Sequence, residues 1–600
     1  MRISRIRIQN FRGIAQGELY LPGHSVLVGD NNTGKSTILE AIDLVLGPER
    51  LSRRPIIDEH DFHAGYYIGD EDNPVEIRVE VVIADLSDEQ KRYFRNHVEW
   101  WDETNKVLLE GPPPETTDDK EVLPALRVGF VGAYDKDEDD FHGHTYFLSP
   151  KLDTGDFDAF KSSDKRLCGF LFLRYLRTGS RALSLERGSL LDIILRLQEK
   201  RLQMWEEVLE QLRRLPVAEN KELGITDILS AVQESVRSFV PSEWADQPHM
   251  RVSDLTRDHL RRTLTVFMST GSKRPDGTDF AAPFQHQGMG TINALVLALL
   301  SMIADLKQNV IFAMEEPEIA IPPHTQRRII NSVRQRSAQA LFTSHSPYVL
   351  EEFKPSEVLV LRRDQGVLSC TAADYPPTVK PKAYRTEVRT RFCEALLARR
   401  VLITEGRTEY DALPAAARRL HELHPEEFRS FEGNGIALLN ANTDTQIAAL
   451  GEHFTNLGKV VLAIFDKQDA SKKAEIEAKI AHTFESPETS FEKMLLNGSA
   501  EAALRRYAIA LVSDGEWPRH LSGKTPTDAM PVADLRDALY GYLSWSKGAG
   551  GAADLLGQCS RDEMPEFVVQ TLSAIEGIVG PTSNVRQDAN SSDGSPAQPE

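Results

Sequence analysis

The chain reads as a multidomain α/β protein, and three observations predict this. Short apolar runs ending in glycine, an acid or a polar tip recur at 25–28, 309–315, 340–343, 401–404 and 460–465, as buried strands do. Between residues 183 and 240 the apolar spacing changes to every three to five residues, which is helical. At 600 residues the chain is too long for a single core and predicts three or four domains.

Hydrophobic residues make up 41%, an ordinary share for a chain that buries cores. Lys and Arg number 70 against 90 Asp and Glu, a net charge of −20, which argues against a wholly basic nucleic-acid coat protein. A local basic groove stays compatible with that total, because a site feels nearby charge most. The four cysteines, Cys168, Cys370, Cys393 and Cys559, are far apart and form no C-x-x-C, so neither a zinc site nor a disulfide framework is expected. The N-terminus, MRISRIRIQNFRG, lacks the apolar core of a signal peptide, and no run of about eighteen apolar residues predicts a membrane span. The expected compartment is a reducing cytoplasm.

In chain order, Ile3, Ile6, Ile8 and Phe11 alternate with polar residues, as in an antiparallel edge strand with one solvated face. Residues 24–37, HSVLVGDNNTGKST, then give strand, glycine loop and helix. Gly29, Gly34, Lys35 and Ser36 fit G-x-x-x-x-G-K-[ST], with Asn32 inside the loop and Thr37 after it. Such a loop turns backbone N–H groups onto phosphate oxygens, so ATP is the expected ligand. Lys35 would reach the β- and γ-phosphates and Ser36 would ligate Mg²⁺. The following helix should bury Ile38, Ala41, Ile42 and Val45 on one face and add its positive end to the anion site. Residues 75–84 alternate like a half-exposed strand, and 111–121 form a loop by composition. The acidic stretch 135–140 reads as a solvated turn rather than a metal cluster, and 168–176 as a core strand. Residues 183–240 predict one or two long amphipathic helices, an arm suited to packing against its twin in a dimer. Strand and short-helix signals return at 251–267, and 271–280 reads as a turn.

Gly288, Met289, Gly290 and Thr291 then open a strongly apolar helix. Residues 309–318, NVIFAMEEPE, are a strand ending in acids, and 340–347, ALFTSHSP, a strand ending in Ser344 and His345. Buried charge at a strand tip is costly unless paired or used. Glu315 would hold the metal shell and Glu316 would act as general base. With IRIQNFRG at 6–13, this order resembles the ABC-type ATPases of chromosome maintenance and DNA repair. The resemblance implies that Gly288 belongs to a signature loop closing on the γ-phosphate held by another subunit. It also implies that His345 contacts γ-phosphate. Most such ATPases carry Asp where this chain has Glu315, so the metal contact would run through water.

Residues 375–382 form a linker. Arg385, Arg389, Arg391, Arg399 and Arg400 follow, either as phosphate contacts or as an exposed helix face. Strand, turn and helix then restart at 401–411, VLITEGRTEYD, and 460–466 is an apolar strand ending in Asp466. Parallel strands align their C-terminal ends, so Glu405 and Asp466 should converge, and converging carboxylates suit divalent ions and two-metal phosphodiester cleavage. The region resembles the Toprim domain, and the whole, roughly residues 1–575, resembles the OLD (overcoming lysogenization defect) nuclease family and the related Gabija-type nucleases. That resemblance assigns Glu405 and Glu409 to its E-G-x-x-E element and Asp466 to the first acid of D-x-D. Gln468 stands at the second place, so either Asp469 substitutes or one metal site is weakened. Glu492 would be a further ligand, and Lys547 the late lysine that offsets charge on the scissile phosphate.

The expected division is an ABC ATPase at 1–180 and 246–378, a helical dimerisation insertion at 181–245, a Toprim domain with Rossmann-like topology at 379–580, and a disordered tail at 581–600. The expected activity is that of an ATP-binding, Mg²⁺- or Mn²⁺-dependent DNA endonuclease in antiphage defence or DNA processing. It would act as a homodimer or larger assembly, with a helicase or other defence protein as possible company. The rival expectation is an ATP-driven DNA sensor or scaffold with a degenerate Toprim site, motivated by Gln468.

Overall fold

The computed structural model describes residues 1–579 except 53–54, 70–74, 110, 112–120, 150–156, 174–182, 187–188, 215–224, 239–255, 307–309, 320–321 and 377–388. The loop at 112–120, Arg385 and the tail at 581–600 therefore lie outside the described residues. The chain is α/β and divides into two units, Met1–Ala372 and Ala373–Glu600.

In the first unit the N-terminal strands are β1 (Arg2–Phe11), β2 (Ile14–Tyr20), β3 (Ser25–Val28), β4 (Glu76–Ala84), β5 (Glu99–Asp102), β6 (Val107–Leu109), β7 (Val122–Asp135), β8 (Asp140–Phe147) and β9 (Phe170–Leu173). A hairpin of β10 (Phe267–Lys273) and β11 (Asp279–Pro283) follows, then β12 (Ile311–Glu315), β13 (Gln339–Thr343), β14 (Val358–Asp364) and β15 (Val367–Ala372). Apart from the hairpin these form one sheet, in the order β6-β5-β7-β4-β1-β2-β15-β14-β3-β13-β12-β9, with β8 paired to β7. One half is antiparallel, and β14, β3, β13, β12 and β9 are parallel.

Several local expectations are corrected. β1 is not an edge strand, because β2 pairs with one side of it and β4 with the other. Its polar face is solvated at Arg7 and Gln9, as expected, but not at Arg5, which is buried, ion-paired with Glu80 and stacked over Trp101 at 5.6 Å. The helix α1 (Lys35–Leu46) is buried nearly all round, Leu39 and Leu44 as well as Ile38 and Ile42. It touches β1, β4 and β7 as well as β9 and β12, so from Ile38 onward no face is left for solvent. Among the described residues the insertion holds three helices rather than one or two: α2 (Leu190–Leu197), α3 (Arg201–Arg214) and α4 (Ile225–Arg237). Glu199, at φ 57, breaks the backbone between α2 and α3. The turn expected at 271–280 is confined to 274–278, and Gly271, at φ 75, sits inside β10 where the hairpin register slips. Cys168 ends a short helix, and β9 closes the sheet with only Phe170 buried. The acidic stretch 135–140 is a turn between β7 and β8, with 136–140 exposed. The apolar helix predicted after Gly288 is α5 (Met289–Leu306), and α2 packs on it.

The second unit has a four-stranded parallel sheet of β16 (Arg400–Thr404), β17 (Ile436–Asn440), β18 (Val460–Phe465) and β19 (His482–Glu485), ordered β17-β16-β18-β19. The helices α6 (Arg407–Leu423), α7 (Ala470–Lys479), α8 (Phe491–Gly498), α9 (Val532–Trp545) and α10 (Gly551–Gln558) position the site. Leu402, Leu462, Ile464, Leu413, Leu495, Leu539 and Leu555 share one core. Among the described residues no helix is long and apolar enough to cross a membrane.

Candidate functional site

Two chemical centres form, one in each unit, and both sit where parallel strands end. In the first unit β13 lies between β3 and β12, so the tips of these three strands are neighbours. The loop after β3 carries Gly29 (φ 157), Asn32 (φ 67) and Gly34 (φ 105), a run of positive φ that curls the backbone into an anion-binding concavity. Gly34 caps α1 without a side-chain hydrogen bond, leaving the first N–H groups of the helix to a ligand. Lys35 is buried and donates Nζ–H to the carbonyl oxygens of Gly29 (2.8 Å) and Asp30 (2.9 Å). Burial pulls its pKa down, against the charges of Glu316 and Asp30. Ser36 is exposed in the first helical turn and Thr37 half-buried behind it.

Glu315 ends β12 and is buried. Glu316 has φ 43, and its N–H donates to the Thr343 carbonyl at 2.9 Å. A non-glycine residue in that region is strained, which suits a side chain aimed for a task. Burial and then Lys35 push the His345 pKa down, while Glu316 and Asp30 oppose them, so the four groups sit in one electrostatic neighbourhood. Glu318 was not singled out from the sequence, although it lies in the same EEPE run. Its Oε1 accepts from Ser344 Oγ (3.0 Å) and from the His345 N–H (2.6 Å), tying the acidic loop to the histidine loop. Gly288 is exposed at the start of α5, with open space where a Cβ would stand.

In the second unit β16 and β18 are adjacent, with Thr404 opposite Ile464, so Glu405 and Asp466 leave the sheet side by side. Glu405 Oε2 accepts from the Asp466 N–H (2.9 Å) and from Gln468 Nε2 (3.1 Å). Burial raises the Glu405 pKa. One turn into α6, Glu409 is only 4% exposed, and burial together with Asp466, Glu492 and Glu405 pushes its pKa up to about 8. Burial, Glu405 and Glu492 push Asp466 up to about 7, with Lys547 opposing. Asp466 Oδ1 is buried without a hydrogen-bond partner.

Glu492, in the first turn of α8, accepts from Thr408 Oγ1 (2.7 Å), Ser490 Oγ (2.7 Å) and Lys547 Nζ (2.9 Å). Burial alone would raise its pKa, but these three donors outweigh burial and lower it. Lys547, just beyond α9, is held protonated chiefly by Glu492 against partial burial. The structure thus gathers Glu405, Glu409, Asp466, Glu492 and Lys547. Asp469 stands apart: it is exposed and caps α7, accepting from the Ser471 and Lys472 N–H groups. The substitution of Asp469 for the missing acid is therefore not what this geometry holds; Gln468 fills that place and binds Glu405. Of the basic run, Arg391 stacks on Tyr410 at 4.1 Å and Arg400 donates to the Asn434 carbonyl; Arg407, outside that run, also stacks on Tyr410, at 5.4 Å.

Among the described residues no three His, Cys, Asp or Glu side chains already stand in a metal-binding arrangement. The donor set nonetheless fits a hard divalent ion. Every donor is a carboxylate oxygen, Asp466 Oδ1 is buried and unpartnered, and the carboxyl pKa values are raised first by burial and then by the neighbouring acids, a charge a divalent ion would offset. Thr408 and Ser490 were also missed. They lie inside EGRTE and SFE, but nothing in the spacing tells that their hydroxyls meet at Glu492.

Comparison with known proteins agrees with this layout. An AAA domain family, of the AbiEii-toxin kind in the Type IV TA system, matches residues 25–351, more than half the chain. The "Overcoming lysogenization defect protein-like, TOPRIM domain" family matches residues 396–467. The OLD nuclease of Thermus scotoductus is 23% identical over 67% of this chain and 71% of its own length. The Old nuclease of Escherichia phage P2 is 22% identical over 71% and 72%. Endonuclease GajA of Bacillus cereus is 21% identical over 73% and 70%. The chain thus belongs to this AAA domain family and carries, behind that domain, a TOPRIM domain of the OLD-like kind.

Proposed function

We propose that the protein is an ATP-responsive, divalent-metal-dependent DNA endonuclease acting in antiphage defence or DNA processing. The observation that carries this is the meeting of Glu405, Glu409, Asp466 and Glu492 beside Lys547 at the ends of adjacent parallel strands. The family supports it, since relatives over most of the chain are named nucleases.

Glu405, Glu409 and Asp466 would hold Mg²⁺ or Mn²⁺, which when bound supplies an activated water and charge neutralisation on the phosphate. Lys547 would place its ammonium against the scissile phosphate. Glu492 holds Lys547, and Thr408 and Ser490 hold Glu492, so the lysine's position is set through hydrogen bonds behind it. In the first unit Lys35 and Ser36 would bind ATP with its Mg²⁺. Glu315 would complete the metal shell, Glu316 would orient or deprotonate water, and His345 would sense the γ-phosphate. Gly288 is open to meet the nucleotide of a second copy in a homodimer or larger assembly.

Nicking of supercoiled plasmid with Mg²⁺ or Mn²⁺ tests this. The chain should cut, and Glu405→Ala should lose cutting by at least two orders of magnitude, as loss of a metal-holding group in phosphodiester chemistry does. Unchanged cutting by Glu405→Ala would reject the assigned centre. ATP turnover without metal-dependent cutting would favour the second reading, an ATP-driven DNA sensor or scaffold, which Gln468 motivates.

A further inference from the structure

Resting on the nuclease reading, we infer that the TOPRIM site takes one divalent ion rather than two, with Lys547 supplying the positive charge a second ion would bring. Two ions sharing a phosphate sit about 3.5–4 Å apart and need enough anionic oxygens to offset four positive charges.

The second place of the D-x-D element is neutral here, and its geometry works against a cation. Gln468 Nε2 donates to Glu405 Oε2, the same oxygen that accepts the Asp466 N–H. An amide oxygen turned toward that carboxylate would repel it, so the donor end is the one that faces in. Asp469 cannot make up the charge, because its carboxylate caps α7. Glu492 is already committed as well: Oε1 accepts from Thr408 and Lys547, and Oε2 from Ser490. What remains is a single set of carboxylates, Glu405, Glu409 and Asp466, with Asp466 Oδ1 buried and unpartnered at its centre. Four carboxylates balance one divalent ion and one ammonium to within a single negative charge. A second ion would leave the site net positive before the phosphate arrives.

The test is a Mn²⁺ titration of the full chain without nucleotide, read by calorimetry and by the electron paramagnetic resonance of free and bound Mn²⁺. Glu405→Ala serves as the blank for ions bound elsewhere. One Glu405-dependent ion per chain is expected, rising to two in Gln468→Asp, with the spectrum of a spin-coupled pair. Gln468→Glu repeats the test should the Asp variant melt early. Two Glu405-dependent ions of comparable affinity in the unaltered chain would overturn the inference. So would a count that stays at one in both folded Gln468 variants. Absence of any Glu405-dependent ion would overturn the nuclease reading itself, a distinct failure.

Discussion

Gly406 has an ordinary extended backbone (φ −128), so what it provides is room. A Cβ there would stand 2.9 Å from Glu409 Oε2. Glu409 is buried and cannot swing away freely, so Gly406→Ala should displace one acid of the cluster without unfolding the sheet. The expected effect is a roughly ten- to hundred-fold loss of Mn²⁺ affinity at near-normal melting temperature, measured by calorimetry and thermal melts. A second residue-level consequence concerns pH. Glu409 and Asp466 have pKa values raised to about 8 and about 7, mainly by burial and then by their acidic neighbours. The folded chain therefore keeps protons that the unfolded chain has released. The stabilisation is complete below the usual carboxylate range and is lost as pH rises through about 7 to about 8. In chelator the melting temperature should fall between about pH 5 and about pH 8, and Mn²⁺ should restore it at the upper end, where the acids ionise and bind metal. A melting temperature that rises across that window would contradict the cluster. Glu405 and Asp466 were legible because each ends an apolar run. Gln468 was legible as a departure, but its bond to Glu405 depends on the relative height of two strands, which no local pattern encodes.

At the scale of elements, periodicity located the strands and the phosphate loop well and misjudged what covered them. β1 alternates like an edge strand and does expose Arg7 and Gln9, yet it is paired on both sides, and Arg5 on the same face is buried against Glu80 and Trp101. A period-two pattern reports polarity and cannot distinguish water from an ion pair. The face expected of α1 was similarly too narrow, because strands from both halves of the sheet pack on it and every residue from Ile38 to Leu46 is buried. In the insertion the helical spacing ran on through Glu199, whose φ of 57 stops the helix without any proline or glycine to announce it. α4 carries Ile228, Val232 and Val236 on one stripe, all exposed, at 63%, 46% and 41%. Spacing of four residues puts them on one face, as an interface helix requires. If this arm joins two copies, Ile228→Glu combined with Val232→Glu should shift the assembly to monomer in sedimentation velocity while far-ultraviolet circular dichroism stays unchanged. An unaltered assembly would assign the stripe another role.

On the scale of the whole molecule, the phosphate-loop centre and the carboxylate centre proposed for nuclease chemistry lie in separate units, Met1–Ala372 and Ala373–Glu600. Each was recognisable because a strand-tip motif recurs in a fixed order: phosphate loop, acidic tip and histidine tip in one, E-G-x-x-E and Asp466 in the other. The net charge of −20 gave no hint of a nucleic-acid enzyme, since the chemistry needs acids around an ion and only a local basic surface. In the proposed function Glu405, Glu409 and Asp466 close around a divalent ion. Anomalous diffraction from crystals of the full chain grown with Mn²⁺ tests it most directly. A peak is expected about 2.0–2.3 Å from Asp466 Oδ1, also bonded to oxygens of Glu405 and Glu409. Crystals that retain Mn²⁺-dependent cutting when dissolved, yet show no peak among these three carboxylates, would contradict it.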